Sequence, residues 1–130
     1  LTESINVDGR LGVAEAAKKA GIGRYVYASS CSVYGHGKNA ELTEAAPTSP
    51  LTTYAKSMLH GEESLMALGD RNFTVTVLRN ATVFGLSPRM RFDLAINIMT
   101  LHAVQRGKIN VMGGGTSGAP LCTFVMSAGR

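Results

Sequence analysis

Cysteine, long apolar runs and clustered charge are all scarce in this chain of 130 residues. Its two cysteines, Cys31 and Cys122, lie far apart, which excludes a disulfide framework or a cysteine metal motif and is typical of a reducing cytoplasm. Arg79 interrupts the longest apolar run, so no stretch of about 18 apolar residues is present to span a membrane. The histidines also lack metal-ligand spacing: His36, His60 and His102. We expect a cytoplasmic protein without a metal site.

The charge pattern argues against a nucleic-acid partner. The formal net charge is +4, but the lysines and arginines are scattered, without a basic run or interleaved aromatics. A hydrophobic fraction of 45% suffices for the core of one domain or part of one. Because the chain begins Leu1-Thr2-Glu3-Ser4, without an initiator methionine or a signal sequence, we interpret it as an internal piece of a longer protein.

Helical and strand patterns alternate along the chain. An apolar helical pattern from Ile5 ends at Gly21 and Gly23. The other predicted elements, in order, are the strand Tyr25–Ala28, a helix that Ser49 caps and Pro50 opens and that ends at Leu68, the strand Phe73–Leu78, the helix Phe92–Gln105 and the strand Ile109–Met112. This order predicts an α/β fold with a buried parallel sheet covered by helices. Ligands of such sheets bind beyond the carboxyl ends of the strands, where the loops after Ala28 and Leu78 lie.

Two motifs fall in the first of these loops and in the helix after it. Residues 29–35 read Ser-Ser-Cys-Ser-Val-Tyr-Gly, and Glu44, Pro47, Pro50 and Tyr54 then follow the pattern E-x-x-P-x-x-P-x-x-x-Y. The segment resembles the extended short-chain dehydrogenases/reductases, in particular the NAD-dependent nucleotide-sugar epimerases and dehydratases. The resemblance implies part of a Rossmann-type doubly wound parallel sheet that lacks its N-terminal dinucleotide-binding strands.

The resemblance also implies two catalytic residues. Ser30 would hold the oxygen of a sugar hydroxyl, and Tyr54 would exchange its proton while a hydride moves between the sugar carbon and NAD. A phenol is a weak base and needs nearby positive charge. The family supplies that charge from a lysine four residues after the tyrosine, where this chain has Met58. Lys56 points nearly opposite to Tyr54 on the helix, so we expect weakened rather than abolished proton transfer.

Further contacts are implied at matching positions. The cofactor is NAD, with NADP left open, and the partner is a nucleotide-sugar; the full-length parent is expected to form a homodimer. The residues implied in cofactor binding are Asn6, Ser29, Tyr54 and Asn80. Those implied in substrate binding are Ser30 and Thr82. Arg89 is a further candidate because its guanidinium suits a diphosphate, although it fits a solvated loop equally well.

The two residues directly after the catalytic hydroxyl bear on the type of reaction. The dehydratases carry Asp and Glu directly after the catalytic hydroxyl, where this chain has Cys31 and Ser32. We therefore favour a UDP-glucose 4-epimerase-like activity or simple oxidoreduction over dehydration. Cys31 itself is not expected to be a nucleophile, because no His or Asp accompanies it. Met58 favours the alternative of a non-catalytic dinucleotide-binding sensor or partner module. An inactive truncated product is a third alternative.

The two ends of the chain lack features that the family carries on either side of the matching middle part. No Gly-x-x-Gly-x-x-Gly turn is present to bind the NAD pyrophosphate, so we expect this chain alone to bind little NAD. Residues 1–116 read as the central part of the epimerase/dehydratase domain. Residues 117–130 read as an atypical tail. Back-translated and shifted by one base, the tail encodes Gln-Trp-Arg-Pro-Ser-Val-His-Val-Arg-Asp-Val-Gly-Arg, which resembles the family pattern, so our hypothesis is a frameshift after Thr116.

Overall fold

The computed structural model describes residues 3–35, 42–84, 87–111 and 126–128. The chain divides into two units: Leu1–Ala81 with Thr123–Arg130, and Thr82–Cys122. No helix in the described part is both long and apolar enough to cross a membrane. The elements, in order, are a π-helix Ser4–Gly9, α1 Arg10–Lys19, β1 Arg24–Ser30, a 3-10 helix Cys31–Tyr34, α2 Thr53–Leu68, β2 Thr74–Asn80, α3 Ala95–Arg106 and β3 Met126–Ala128.

Strands β1 and β2 form a parallel pair in the first unit. Their register runs from Arg24 opposite Thr74 to Ser30 opposite Asn80, so both strands end at the same edge of the sheet. Helix α2 connects them, which is the β-α-β crossover that parallel pairing requires. The predicted α/β class and parallel pairing are confirmed.

Only one face of β1 is buried, and this corrects the prediction of a fully buried strand. Tyr27 and Ser29 point into the protein and are about 4% exposed, whereas Val26, on the opposite face, is 62% exposed. The alternation arises because successive side chains of a strand point to opposite sides of the sheet. The described helices α1 and α2 contribute to the core on the buried side.

The core lies between this face and the two helices. Its largest fully buried side chains are Phe73, Met58, Leu65 and Val33. Helix α2 approaches its neighbours closely at Gly61, where an added Cβ would lie 2.9 Å from the Tyr27 hydroxyl and 3.1 Å from the Asn6 carbonyl oxygen. The absence of a side chain at Gly61 therefore lets the π-helix and β1 reach α2.

Helix α2 ends at Leu68 as predicted, but its start is three residues later than the predicted Pro50. Thr52 caps it, with its Oγ1 accepting the Ala55 N–H at 3.0 Å. Ser49 instead donates its backbone N–H to the Val33 carbonyl oxygen at 2.9 Å. That bond holds the Ser49 backbone against the 3-10 helix. The next hydroxyl residue along the chain, Thr52, caps α2 instead.

The predicted third parallel strand is wrong. Residues 109–111 form no strand and are exposed, and Met112 lies outside the described residues. A strand exists only by pairing, and both edges of β2 have partners: β1 on one side and, antiparallel, Met126–Ala128 on the other. The residues of β3 belong to the predicted atypical tail. In the second unit, α3 begins at Ala95 rather than Phe92 and ends before Gly107, whose φ of 62° is left-handed.

Candidate active site

Ser30 is the last residue of β1 and caps the 3-10 helix that follows. Its Oγ accepts the Ser32 N–H at 3.2 Å. A serine hydroxyl has one proton to donate besides its acceptor lone pairs. Ser30 is partly exposed, so this cap leaves its proton for a further hydrogen bond.

Tyr54 is the second residue of α2, and its side chain is 48% exposed. Two hydrogen bonds link it to the π-helix: Ser57 Oγ donates to the Tyr54 carbonyl oxygen at 2.8 Å, and Asn6 Nδ2 donates to Ser57 Oγ at 3.1 Å. The structure therefore brings the predicted residues Asn6 and Tyr54 together through Ser57. The sequence reasoning missed Ser57, which is buried and carries no motif of its own.

Asn80 and Ser29 occupy the ends of the two parallel strands. Asn80 lies directly across from Ser30 in the register and is partly exposed. Ser29 points into the protein, where its hydroxyl donates to the Glu62 carboxylate. This internal partner occupies the Ser29 hydroxyl. The role of Ser29 in cofactor binding stays a prediction.

Glu62 also receives the guanidinium of Arg79, the partner of Ser29 in the strand register. Arg79 donates to the carboxylate through Nε and one terminal nitrogen, and through the other nitrogen to the Tyr34 hydroxyl at 2.9 Å. Desolvation lowers the pKa of Arg79, but the hydrogen bonds to Glu62 and Tyr34 outweigh it and the pKa is raised. Arg79 therefore keeps its charge, and its hydrogen bonds fix α2 to the ends of both strands.

Met58, one helical turn after Tyr54, is buried with 1% exposure, whereas Lys56 is exposed, as the helical geometry predicts. Its sulfur is not surrounded by hydrocarbon alone. Arg10 Nη1 donates to Met58 Sδ at 3.1 Å and also donates to the Tyr27 hydroxyl. Arg10 and Tyr27 were not predicted as site residues, because pairs so distant in sequence leave no local signal.

Neither residue after Ser30 is a good acid or nucleophile. Burial raises the pKa of the Cys31 thiol, with a smaller lowering by a backbone hydrogen bond, so the thiolate is disfavoured at neutral pH. Ser32 Oγ is buried and has no hydrogen-bond partner among the described residues. The predicted inertness of Cys31 agrees with this environment.

Thr82 and Arg89 belong to the second unit. Thr82 is partly exposed, and Arg89 is exposed with its backbone N–H donating to Ser87 Oγ at 3.3 Å. Nearby, Arg91 pairs with Asp93 at 2.5 Å on the surface. The predicted substrate contacts of Thr82 and Arg89 stay predictions.

The accessible site residues predicted in the first unit all carry hydrogen-bonding groups. Ser30, Tyr54 and Asn80 offer exposed or partly exposed hydroxyl and amide groups, and Arg10 adds a partly buried positive charge. The glycine-rich turn for a pyrophosphate is absent from these 130 residues. No group of three or more potential metal ligands occurs within the described ranges.

Comparison with known proteins agrees with this arrangement. The sequence model of the NAD dependent epimerase/dehydratase family matches residues 1–123. The chain is 33% identical over 103 residues to the protein named uncharacterized UDP-glucose epimerase YtcB of Bacillus subtilis, covering 78% of this chain and 31% of that protein. It is 32% identical over 88 residues to the UDP-glucose 4-epimerase of the same organism, covering 66% of this chain and 26% of that enzyme.

Two structures that were solved with NAD are also similar to this chain. The structure of MoeE5 in complex with UDP-glucose and NAD superposes with a TM-score of 0.66 at 35% identity, covering 79% of this chain and 34% of MoeE5. UDP-glucuronic acid 4-epimerase from Bacillus cereus, in complex with UDP-glucuronic acid and NAD, gives a TM-score of 0.71 at 26% identity, covering 87% of this chain and 35% of that enzyme. NAD is thus the cofactor with which these relatives were solved.

The chain spans less than a third of the length of three curated relatives that it matches, between 20% and 31%. The family match nevertheless runs through the motif at residues 29–35, Tyr54 and both parallel strands, and it continues past Thr116. The chain therefore belongs to the NAD dependent epimerase/dehydratase family.

Proposed function

We propose that the full-length gene product is an NAD-dependent nucleotide-sugar epimerase, similar in activity to UDP-glucose 4-epimerases. The observation that carries the proposal is the placement of two accessible hydroxyls, Ser30 after β1 and Tyr54 at the start of α2, in a member of this family. When bound, NAD supplies the acceptor for the hydride that leaves the sugar carbon. The UDP-glucose and UDP-glucuronic acid in the complexes of related structures support a UDP-sugar as substrate.

The protein side chains would handle the proton and the oxygen. Tyr54 takes the proton of the sugar hydroxyl, and Ser30 donates its free proton to the same oxygen. The same tyrosine would return the proton once the hydride has come back to the opposite face of the sugar carbon, so that the alcohol forms again with inverted configuration. Asn6 holds the helix that carries Tyr54 through Ser57, and Asn80 lies across from Ser30 at the strand ends.

Epimerisation is favoured over dehydration because elimination of water needs a further acid and base beside the sugar. The residues at those positions are Cys31, whose thiol is held protonated by burial, and Ser32, whose hydroxyl is buried. Neither is suited to take up or deliver a proton at neutral pH.

A second function is favoured by the buried Met58: a non-catalytic relative that binds a dinucleotide as a sensor. Incubation of the full-length product with NAD and UDP-glucose separates the two. We expect conversion to UDP-galactose, lowered about 10²–10⁴-fold by Tyr54→Phe. The exposed Lys56→Met serves as the matched control on the same helix and should leave the rate unchanged. A product that binds NAD but converts no UDP-sugar would favour the sensor and contradict the enzyme.

A further inference from the structure

The buried sulfur of Met58 has a cation as its neighbour. Arg10 Nη1 lies 3.1 Å from Met58 Sδ, and the Tyr27 hydroxyl lies 3.6 Å from the same atom. A thioether is only a weak hydrogen-bond acceptor. It therefore does not offset the cost of taking a guanidinium group partly out of solvent.

The guanidinium of Arg10 lies close to the position where the family carries its lysine. Sulfur occupies the δ position of a methionine side chain, and a lysine at residue 58 would carry its ammonium two bonds beyond its own δ atom. Arg10 Nη1, at 3.1 Å from Sδ, therefore brings a cation about as close to this atom as the ammonium of such a lysine would be. Residues 54 and 58 are one helical turn apart and share a face of α2. The Arg10 cation is thus beside the turn that presents Tyr54.

Arg10 is held there from two sides. Its Cζ lies 5.0 Å from the centroid of the Tyr27 ring, and Nη1 donates to the Tyr27 hydroxyl. Burial raises the pKa of Tyr27 more than Arg10 lowers it, so Tyr27 is neutral at physiological pH and does not cancel the positive charge.

No carboxylate in the described part of the chain pairs with Arg10. Glu62, the buried acid in this region, is already paired with Arg79. The Arg10 charge is therefore not neutralised by a direct ion pair among the described residues, and it can act on an outside group or on a phenolate.

We propose that Arg10 replaces the lysine that the family carries one turn after the catalytic tyrosine. In this protein the charge comes from helix α1 rather than from α2: the guanidinium stabilises negative charge on Tyr54 and offers a donor to the ribose of the dinucleotide. Met58 then leaves room for Arg10, and its presence in place of the lysine does not remove the cation from the site. The inference rests on the proposed function and names the cation that this function needs.

A charge-swap cycle tests the inference in the full-length product. The variants are Arg10→Met, Met58→Lys, the double variant Arg10→Met/Met58→Lys and the conservative Arg10→Lys. Each is assayed for NAD affinity, for kcat and KM with UDP-glucose, and for its urea unfolding midpoint. NAD affinity and the midpoint report on the same pair of residues without relying on turnover.

We expect Arg10→Met to lower kcat about 10²–10⁴-fold and to weaken NAD binding, while Arg10→Lys keeps most of both. Met58→Lys alone places a second cation beside the guanidinium, so its unfolding midpoint should fall. The double variant should recover the midpoint, the NAD affinity and kcat to within about 10-fold of the parent protein, because it returns the charge to α2.

Two results would overturn the inference: a folded Arg10→Met protein with unchanged kcat and NAD affinity, or a double variant no better than Arg10→Met. Both leave the parent enzyme active, so they remove only the role of Arg10. A parent protein without turnover would instead overturn the proposed function, and the inference with it.

Discussion

Arg79 on β2 holds the carboxylate of Glu62 on α2 with hydrogen bonds of 2.7–3.1 Å. The two side chains are 18% and 6% exposed, so the pair is largely removed from solvent. It ties the helix that carries Tyr54 to the strand ends that carry Ser30 and Asn80. The ion pair therefore helps to fix the relative positions of the proposed catalytic groups.

Removal of this carboxylate should be costly. Glu62→Ala leaves the Arg79 guanidinium without its anion, which typically costs about 3–5 kcal/mol of unfolding free energy. Urea denaturation followed by circular dichroism measures the loss. The control is Asp93→Asn, which breaks the exposed pair with Arg91 and should leave the midpoint unchanged. Equal midpoints for the two variants would refute the structural role of Glu62.

Gly35 should not tolerate a side chain. Its φ of 62° lies in the left-handed region, and a Cβ would overlap with the Ser49 carbonyl oxygen. We expect Gly35→Ala to destabilise by at least about 1–3 kcal/mol. Gly12→Ala, inside α1 with open space around it, should instead gain about 0.5–1 kcal/mol. Thermal unfolding of both variants checks the prediction. A protein destabilised by Gly12→Ala but not by Gly35→Ala would contradict it.

The start of α2 can be located by mutation. Thr52→Ala removes the side-chain cap on the Ala55 N–H and should cost about 1 kcal/mol. Ser49→Ala keeps the backbone hydrogen bond to Val33 and should change the unfolding free energy little. A larger loss for Ser49→Ala than for Thr52→Ala would show that the helix begins at the earlier position.

Asp70 should make stability depend on pH in the acid range. The Lys18 ammonium and the Asn72 and Phe73 N–H groups hold the pKa of this carboxyl below its ordinary value of 3.8. As the pH falls, the unfolded chain takes up the proton first, so the stabilisation is complete above 3.8 and is lost below it. Asp70→Asn should lower the urea midpoint at about pH 7 and leave the midpoint unchanged at about pH 2. A constant difference across this range would contradict the assignment.

Local sequence signals predicted much of the framework. The apolar β-prone runs around Tyr27 and Val75 located both parallel strands, and the glycine after Leu68 located the end of α2. The start of α2 was misplaced because Ser49 and Thr52 are both suitable caps. Their difference depends on a bond from Ser49 to Val33, which the local pattern does not encode.

The site was predictable only where a motif marks it. Ser30 and Tyr54 follow from spacing that resembles the family, and the family itself is confirmed. The residues that hold them are paired across the chain: Glu62 with Arg79, and Arg10 with Met58. Such contacts form when α1, α2 and the sheet come together, so neither partner shows a signal in its own segment. The pairing of β3 with β2 was missed for the same reason.

The central claim is that Ser30 and Tyr54 act on one sugar hydroxyl. The most direct test is a crystal structure of the full-length product with NAD and a UDP-sugar bound. The account predicts Ser30 Oγ and Tyr54 Oη both within about 2.5–3.0 Å of the same sugar oxygen. A complex in which either oxygen lies beyond hydrogen-bond distance, with the sugar held elsewhere, would contradict it.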